Sequence, residues 1–253
     1  VKKLGSKIII AGDSYSEAYE QALKMSKKEN LVFIHPFDDD FVIAGQGTIG
    51  MEILRQSSFK IDAIFIAVGG GGLISGVGAY IKAIRPDIKI IGVQTEDSDA
   101  MYKSLKAQRR IQLNHVGLFS DGTAVKKVGK RNFDLCRLVV DEMVLVNTDE
   151  VCAAIKDIFE DTRCIQEPAG ALALAGLKKW LYTNKKTKLR NFIAITCGAN
   201  INFDRLSFIS ERSEIGEEKE ALLSVTIPEE RGSFLKFCSI IQNRNLTEFN
   251  YRI

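Results

Sequence analysis

The sequence predicts an α/β fold in which a mostly parallel β-sheet is covered by helices on both faces. Short apolar runs of strand length alternate along most of the chain with longer stretches of helical spacing, an order typical of parallel sheets. Glycine-bearing turns follow directly on two predicted strands, at residues 69–72 and 197–198. Because ligands of such folds bind outside the carboxyl ends of the strands, these turns mark a candidate binding site.

Local sequence patterns predict the individual helices and strands along the chain. Ser14 and Glu17 form a capping-box pattern at the start of a helix whose apolar positions include Ala18, Ala22 and Met25. We expect strands over residues 31–34, 61–68, 88–94, 143–147 and 192–197, where apolar and β-branched residues dominate. We expect helices over residues 46–55, 74–85, 99–108, 133–140, 150–161 and 169–182, the last opened by Pro168 in its first turn.

The pattern changes after Asn200. Residues 205–220 are rich in charged side chains with little apolar periodicity, so we expect a linker between domains. Residues 221–227, 233–242 and 247–253 then predict strand, helix and strand, the opening of a small α+β module that is too short to fold alone. The chain starts at Val1 without an initiator methionine and stops within a predicted strand, so we expect a fragment.

Composition excludes several classes of protein. A chain of 253 residues that is 45% hydrophobic and 26% charged can bury a sizeable core, and its net charge of +3 does not indicate a nucleic-acid partner. No apolar run is long enough to span a membrane, and no signal peptide is visible. The five cysteines lack the spacing of zinc sites or disulfide frameworks, which predicts a reduced, cytoplasmic protein.

The most informative stretch is the apolar run 61–68 followed by Gly69, Gly70, Gly71, Gly72 and Leu73. A strand, a loop without side chains and the start of a helix together bring free N–H groups and the helix dipole to one point, which suits an anion such as phosphate. A flexible surface linker is the competing interpretation. It is disfavoured because the glycines lie directly between two apolar elements rather than between domains.

The usual nucleotide motifs do not fit this loop. The dinucleotide pattern G-x-G-x-x-G fails because its last position is Ser75 or Ile74, depending on the alignment. The P-loop pattern also fails, since no Gly-Lys-Ser/Thr follows. Glu96, after the next strand, could still act as a ribose-binding acid, so a nucleotide-binding oxidoreductase stays open as an alternative.

Several further motifs occur in a fixed order along the chain. They are VIAGQGT (42–48), VGGGGLISG (68–76), DGTAV (121–125), EPAGA (167–171), CGAN (197–200), ISER (209–212), the stretch 220–237 and TEFNY (247–251). This ordered set resembles the fold-type II pyridoxal-phosphate enzymes, and among them the family of biosynthetic threonine dehydratases. The resemblance covers essentially the whole chain. It implies the end of a small subdomain over 1–42, a large cofactor-binding domain over 43–204, a linker over 205–220 and a partial ACT-like regulatory domain over 221–253.

The resemblance also implies a cofactor and its contacts. Pyridoxal 5'-phosphate would receive backbone N–H groups from Gly69 to Leu73, and Cys197 would lie beside its pyridine nitrogen as a neutral partner. Glu167 is either a contact near the cofactor or only an acid at a helix start. Glu96 and Ala100 fall where related racemases bind a cation, but Tyr102 replaces a further carboxylate, so we expect no metal. His35 and His115 have no evident partner, and residues 38–40 resemble a solvated acidic loop.

For a complete protein, the resemblance implies deamination of L-threonine to 2-oxobutanoate and ammonia, as the first step of isoleucine biosynthesis, with L-serine as a second substrate that would give pyruvate. Isoleucine or valine would act as effectors of a homo-oligomer, a dimer or a tetramer, with no nucleic-acid or membrane partner. The location would be the cytoplasm, or a plastid or mitochondrion in a eukaryote. The family's cofactor-binding lysine is expected upstream of Val1, so we expect no catalytic residue here and an inactive chain.

Three alternatives stay open beside this interpretation. A catabolic serine/threonine dehydratase or a serine racemase would share the glycine loop but not the motifs after residue 209. A nucleotide-binding oxidoreductase would bind NAD and show no coloured cofactor. A non-catalytic amino-acid sensor would lack the lysine altogether.

Overall fold

A computed structural model describes residues 4–12, 15–242 and 244–250 of the chain. The chain divides into two compact units, residues 1–219 and 220–253. The first unit contains the sheet and the candidate binding site. Described residues of the second unit contain one helix, α9 (Ser233–Ile241), and no strand.

The sheet of the first unit has four parallel strands in the order β3-β2-β1-β4. The strands are β1 (Ala63–Ala67), β2 (Lys89–Thr95), β3 (Glu142–Val146) and β4 (Phe192–Ala194). The parallel arrangement predicted from the sequence is therefore confirmed. Because β1 and β4 are neighbours, the turns that follow these two strands lie side by side at the carboxyl edge of the sheet.

Helices cover the sheet on both faces. The described helices of the first unit are α1 (Tyr15–Glu29), α2 (Asp40–Gln56), α3 (Gly72–Ile84), α4 (Ala100–Ala107), α5 (Lys130–Val139), α6 (Thr148–Thr162), α7 (Pro168–Thr183) and α8 (Arg205–Gly216). Residues of α6 and α7 pack on one face, and residues of α3, α4 and α5 pack on the other. Each helix that the sequence predicts before residue 200 is present, with ends that differ by a few residues. The helix α2 starts six residues earlier than expected, at a cap formed by Asp39.

The core follows from the alternation of side chains along the central strand β1. Phe65 packs on one face in a cluster with Leu172 and Trp180 of α7, whereas Ile64 and Ile66 pack on the other face in a cluster that includes residues of α3. Burying one such side chain stabilises the fold by about 2 kcal/mol. A strand that is buried on both faces needs a continuous apolar run, which explains why residues 61–68 were readily predicted as a strand.

Three predicted strands are not formed. Residues 31–34 are irregular, and Leu31 and Val32 are exposed. Residues 221–227 are also irregular, as are 247–250, while the end of that last predicted strand and Ser14 of the predicted capping box lie outside the described residues. A strand needs a neighbour for its backbone hydrogen bonds, and none of these segments pairs with another strand in the described parts of the chain.

The expected linker over 205–220 is instead a packed helix for most of its length. The helix α8 lies against α6, with Ile209 buried in the core. Lys156 of α6 donates hydrogen bonds to Glu214 at 2.5 Å and Glu217 at 2.9 Å, and Arg212 pairs with Asp149 at 2.5 Å. The prediction was wrong because ion pairs supply much of this contact, so the segment lacks an apolar stripe. The compact unit ends only at residue 219.

We predict that Asn147→Ala will lower the free energy of unfolding by about 1 kcal/mol. Asn147 caps α6, since its side chain accepts a hydrogen bond from the Glu150 N–H at 2.9 Å and the Glu150 carboxylate accepts one from the Asn147 N–H at 2.7 Å. Urea unfolding of matched variants measures the change. Asn147→Asp keeps an acceptor and is expected to stay within a few tenths of a kcal/mol of the parent; equal losses would contradict this account.

Candidate active site

The glycine loop connects β1 to α3 and leaves a row of backbone donors unused. Gly71 is the N-cap of α3, with φ of +100° and no side-chain cap. Within the described residues, the N–H groups of residues 69–73 have no hydrogen-bond acceptor. The first N–H groups of a helix cannot bond within the helix, and the helix dipole adds partial positive charge there. The loop can therefore receive an anion such as phosphate.

This loop is held in place rather than flexible. The Gly70 carbonyl accepts a hydrogen bond from the Gly129 N–H at 3.2 Å. A Cβ added at Gly69 would lie 3.1 Å from the Thr123 Cα, and one added at Gly71 would lie 2.7 Å from the Met101 Cε. These close approaches explain why glycines occupy the loop and speak against a surface linker.

A segment before α2 forms one wall of the site. The Phe37 ring lies where a Cβ on Gly70 would have to be, and the Phe37 carbonyl accepts a hydrogen bond from Asn132 Nδ2 at 2.7 Å. The Asp38 carboxylate accepts from the N–H groups of Lys130 at 2.9 Å and Asn132 at 3.2 Å. The solvated loop expected over residues 38–40 is therefore corrected for two of the three acids: Asp38 caps α5 and Asp39 caps α2, whereas Asp40 is exposed and pairs with Arg131.

His35 also has partners that its sequence context did not reveal. Its Nδ1 accepts hydrogen bonds from the Asp38 N–H at 2.9 Å and the Phe37 N–H at 3.2 Å. Burial lowers the pKa of His35, and the nearby charges of Asp38 and Asp39 oppose that shift. The neutral ring can accept these bonds, so His35 fixes the turn that leads into the Phe37 wall.

Cys197 reaches the glycine loop because β4, which precedes it, pairs with β1. The residue lines the pocket and is exposed by its overall surface area, although the thiol is partly buried, and its backbone N–H donates to the Gly170 carbonyl at 3.4 Å. Burial of the thiol raises the pKa of Cys197, and the negative charge of Glu167 raises it further. The thiol is therefore the dominant form at neutral pH.

These features surround one pocket of about 390 Å³. The pocket brings together all six cofactor contacts expected from the sequence, Gly69, Gly70, Gly71, Gly72, Leu73 and Cys197. It also includes residues with no role assigned from the sequence: Pro36, Phe37, Val42, Gln46, Ala67 and Ala169. The DGTAV segment and Glu167 complete the lining. Long-range packing brings in Phe37, and no local signal identifies it.

Glu96 and its neighbours stand apart from the pocket lining. The Glu96 carboxylate lies 3.5 Å from Lys179 Nζ. The Tyr102 N–H donates to Gln94 Oε1 at 2.9 Å, which ties the 96–102 segment together. No cluster of three or more His, Cys, Asp or Glu side chains suited to a metal occurs among the residues that the structure describes. In the part of the chain that the structure describes, Glu96 contacts Lys179 and is not among the residues that line the pocket.

The first unit has a parallel sheet flanked by helices, with unpaired N–H donors at the carboxyl edge of the sheet. These features define the class of α/β proteins that bind a phosphate-bearing ligand at a strand-to-helix turn. Residues 1–198 match the family described as pyridoxal-phosphate dependent enzyme. The chain therefore belongs to the pyridoxal-phosphate dependent enzymes. Residues 211–253 match a second family, described as the C-terminal regulatory domain of threonine dehydratase.

Curated proteins similar to this chain are named threonine dehydratases. The chain is 58% identical to the biosynthetic L-threonine dehydratase IlvA of Burkholderia multivorans, over 98% of this chain and 49% of that protein. It is 50% identical to the mitochondrial threonine dehydratase of Saccharomyces cerevisiae, over 100% of this chain and 45% of that protein. The chain thus spans about half the length of the curated relatives it matches.

Solved structures show the same fold. The processed form of threonine deaminase isoform 2 from Solanum lycopersicum superposes with a TM-score of 0.81 at 43% identity, over 85% of this chain and 58% of that one. Maize serine racemase superposes with a TM-score of 0.74 at 28% identity, over 83% of this chain and 65% of that one. In the described residues, no helix is both long and apolar enough to cross a membrane.

Proposed function

We propose that the protein containing this chain deaminates L-threonine to 2-oxobutanoate and ammonia with pyridoxal 5'-phosphate as cofactor. The observation that carries the proposal is the pocket in which the unpaired N–H groups of residues 69–73 face the same space as Cys197. Threonine as the substrate is supported by the similarity to threonine dehydratases and by the match of residues 211–253 to their regulatory domain. L-Serine is a second possible substrate.

The residues of this pocket fit the cofactor. Its phosphate suits the N–H groups of the glycine loop, where side chains would block close approach. Bound pyridoxal phosphate supplies an electron sink for the negative charge left when the α-proton of an amino acid is removed. We propose that Cys197 faces the pyridine nitrogen with a neutral thiol, which is a weak hydrogen-bonding partner. The Phe37 ring covers Gly70 on one side of the pocket.

The pocket lacks a lysine that could hold the cofactor, as far as the described residues show. Members of the family hold the cofactor through a lysine, yet no lysine of the described residues lines this pocket. We therefore predict that residues 1–253 alone form no 2-oxobutanoate from threonine, whereas the full-length protein does. A coupled assay of ammonia release compares the two, and activity of the purified 1–253 chain would contradict the prediction.

The proposal extends to regulation, oligomeric state and cellular location. We propose isoleucine or valine as effectors of a homo-oligomer, either a dimer or a tetramer; the match of residues 211–253 to a regulatory domain supports regulation of the activity. Relatives are named mitochondrial in yeasts and chloroplastic in Solanum lycopersicum. We propose a cytoplasmic location in a bacterium and one of these organelles in a eukaryote.

Substrate and cofactor assays on the full-length protein separate the candidate functions. We expect a visible absorption band from the bound cofactor, and product formation from threonine that isoleucine reduces. Racemisation of serine as the main reaction would favour a racemase, which shares the fold. A colourless protein that binds NAD tightly would favour an oxidoreductase, and a coloured protein without turnover would favour an amino-acid sensor.

A further inference from the structure

Glu167 connects the start of α7 to the turn that carries Cys197. Its Oε2 accepts a hydrogen bond from the Asn200 N–H at 2.9 Å, and its own backbone N–H donates to the Gly198 carbonyl at 3.1 Å. Gly198 has a φ of +84°, and a Cβ at that position would overlap the Glu167 carboxyl group. The turn is therefore shaped to pack directly against this carboxylate.

The backbone of Cys197 is fixed to the same helix start. Its N–H donates to the Gly170 carbonyl, and a Cβ added at Gly170 would overlap the Cys197 carbonyl oxygen. Since both flanks of Cys197 rest on the first turn of α7, the position of the thiol depends on contacts made by that turn.

Glu167 is also a carboxylate without a neutralising partner. In the described part of the chain, no cation forms an ion pair with it. Asp121 is the other acid in the pocket lining, and Arg205 lies 3.9 Å from its carboxylate. The glycine loop and the Phe37 wall contribute no charged side chain to the lining. The N-terminus of α7 stabilises the negative charge of Glu167 through its dipole.

We infer that Glu167 is a positioning residue that acts through Cys197: its hydrogen bonds set the Cys197–Asn200 turn and hold a carboxylate against Gly198, the neighbour of Cys197. A neutral thiol offers the pocket one weak donor and is a poor nucleophile. The side chain can thus lie beside an electrophilic ligand without attacking it. The link to the cofactor rests on the proposed function, whereas the effect of Glu167 on the thiol does not.

The causes of the raised pKa of Cys197 predict how Glu167→Gln will change the reactivity of the thiol. Burial is the larger cause of the raised pKa of Cys197, and the charge of Glu167 adds to it. Glu167→Gln removes the charge but keeps an oxygen that can accept the Asn200 N–H. The thiolate should then form at lower pH, while the turn stays in place.

The experiment measures alkylation of Cys197 by iodoacetamide as a function of pH, in the full-length protein freed of cofactor. Mass spectrometry of peptides resolves Cys197 from Cys136 and Cys152, which are buried with pKa values raised to about 12. We expect Glu167→Gln to shift the profile to lower pH and to raise the rate at pH 8 about threefold. Glu167→Ala also removes the acceptor, so we expect the same shift with faster labelling at every pH.

Asp121→Asn is the matched control, because it removes the other carboxylate of the pocket lining. We expect it to leave the Cys197 profile unchanged. An unchanged profile in Glu167→Gln, or an equal shift in Asp121→Asn, would overturn the inference.

Labelling of the cofactor-loaded protein separates this inference from the proposed function. We expect bound pyridoxal phosphate to protect Cys197 from alkylation. A shifted profile in Glu167→Gln without protection by the cofactor would support the role of Glu167 and refute the proposed placement of Cys197 beside the ring.

Discussion

Gly76→Ala is expected to lower the free energy of unfolding of the first unit by about 3 kcal/mol, because it overfills a helix crossing. At this crossing α3 packs against α2. A Cβ added at Gly76 would overlap the Ile43 carbonyl oxygen and lie 2.7 Å from the Gly47 backbone nitrogen. The obstructing atoms are backbone, so no side chain can rotate away and the two helices must separate. Urea unfolding of the full-length protein measures the loss.

Gly45→Ala is the matched control on the facing helix. A Cβ added at Gly45 would meet no atom within 4 Å. Alanine is the better helix former by about 1 kcal/mol, so this variant is expected to keep or raise stability. If Gly76→Ala and Gly45→Ala had similar midpoints of urea unfolding, the crossing of α2 and α3 would not be close-packed. Because α3 begins only four residues before Gly76, we also expect separation of the helices to displace the glycine loop.

The same crossing explains why the helical pattern of α2, whose first six residues were missed in the sequence, is weak. Three glycines, Gly45, Gly47 and Gly50, lower the helical propensity of this segment. Two of them are buried where α3 approaches, so tertiary packing rather than local preference stabilises the helix. The central strands were predictable for the opposite reason. Burial on both faces leaves a continuous apolar run that local patterns reveal.

The candidate site was predictable only in part. The glycine loop is a local signal, since strand, glycines and helix follow one another within a few residues. Its proximity to Cys197 depends on the pairing of β1 with β4, segments that are far apart in the sequence. Local chemistry does not encode that pairing, and the family resemblance supplied it. The contacts of Phe37 and Glu167 are long-range in the same sense, and no pattern in their own segments indicated them.

Gly71→Ala is expected to reduce the affinity of the full-length protein for pyridoxal phosphate by about tenfold to a hundredfold. The backbone of Gly71 has a φ of +100°, a conformation that costs alanine about 1 kcal/mol or more. The added Cβ would also lie 2.7 Å from the Met101 Cε and 2.9 Å from the Asn132 Cβ. The loop must therefore shift. Each hydrogen bond lost to a charged phosphate weakens binding by about 1.5–3 kcal/mol.

Gly232→Ala is a control that introduces backbone strain at a glycine outside the binding site. Gly232 has a φ of +92°, and a Cβ there would meet no atom within 4 Å. It lies in the second compact unit, outside the residues that line the pocket. We expect the same kind of backbone strain there with unchanged cofactor affinity. Fluorescence titration of both variants with pyridoxal phosphate measures the difference. Parental affinity in Gly71→Ala would show that the N–H groups of residues 69–73 do not hold the phosphate, because moving the loop would then leave binding intact.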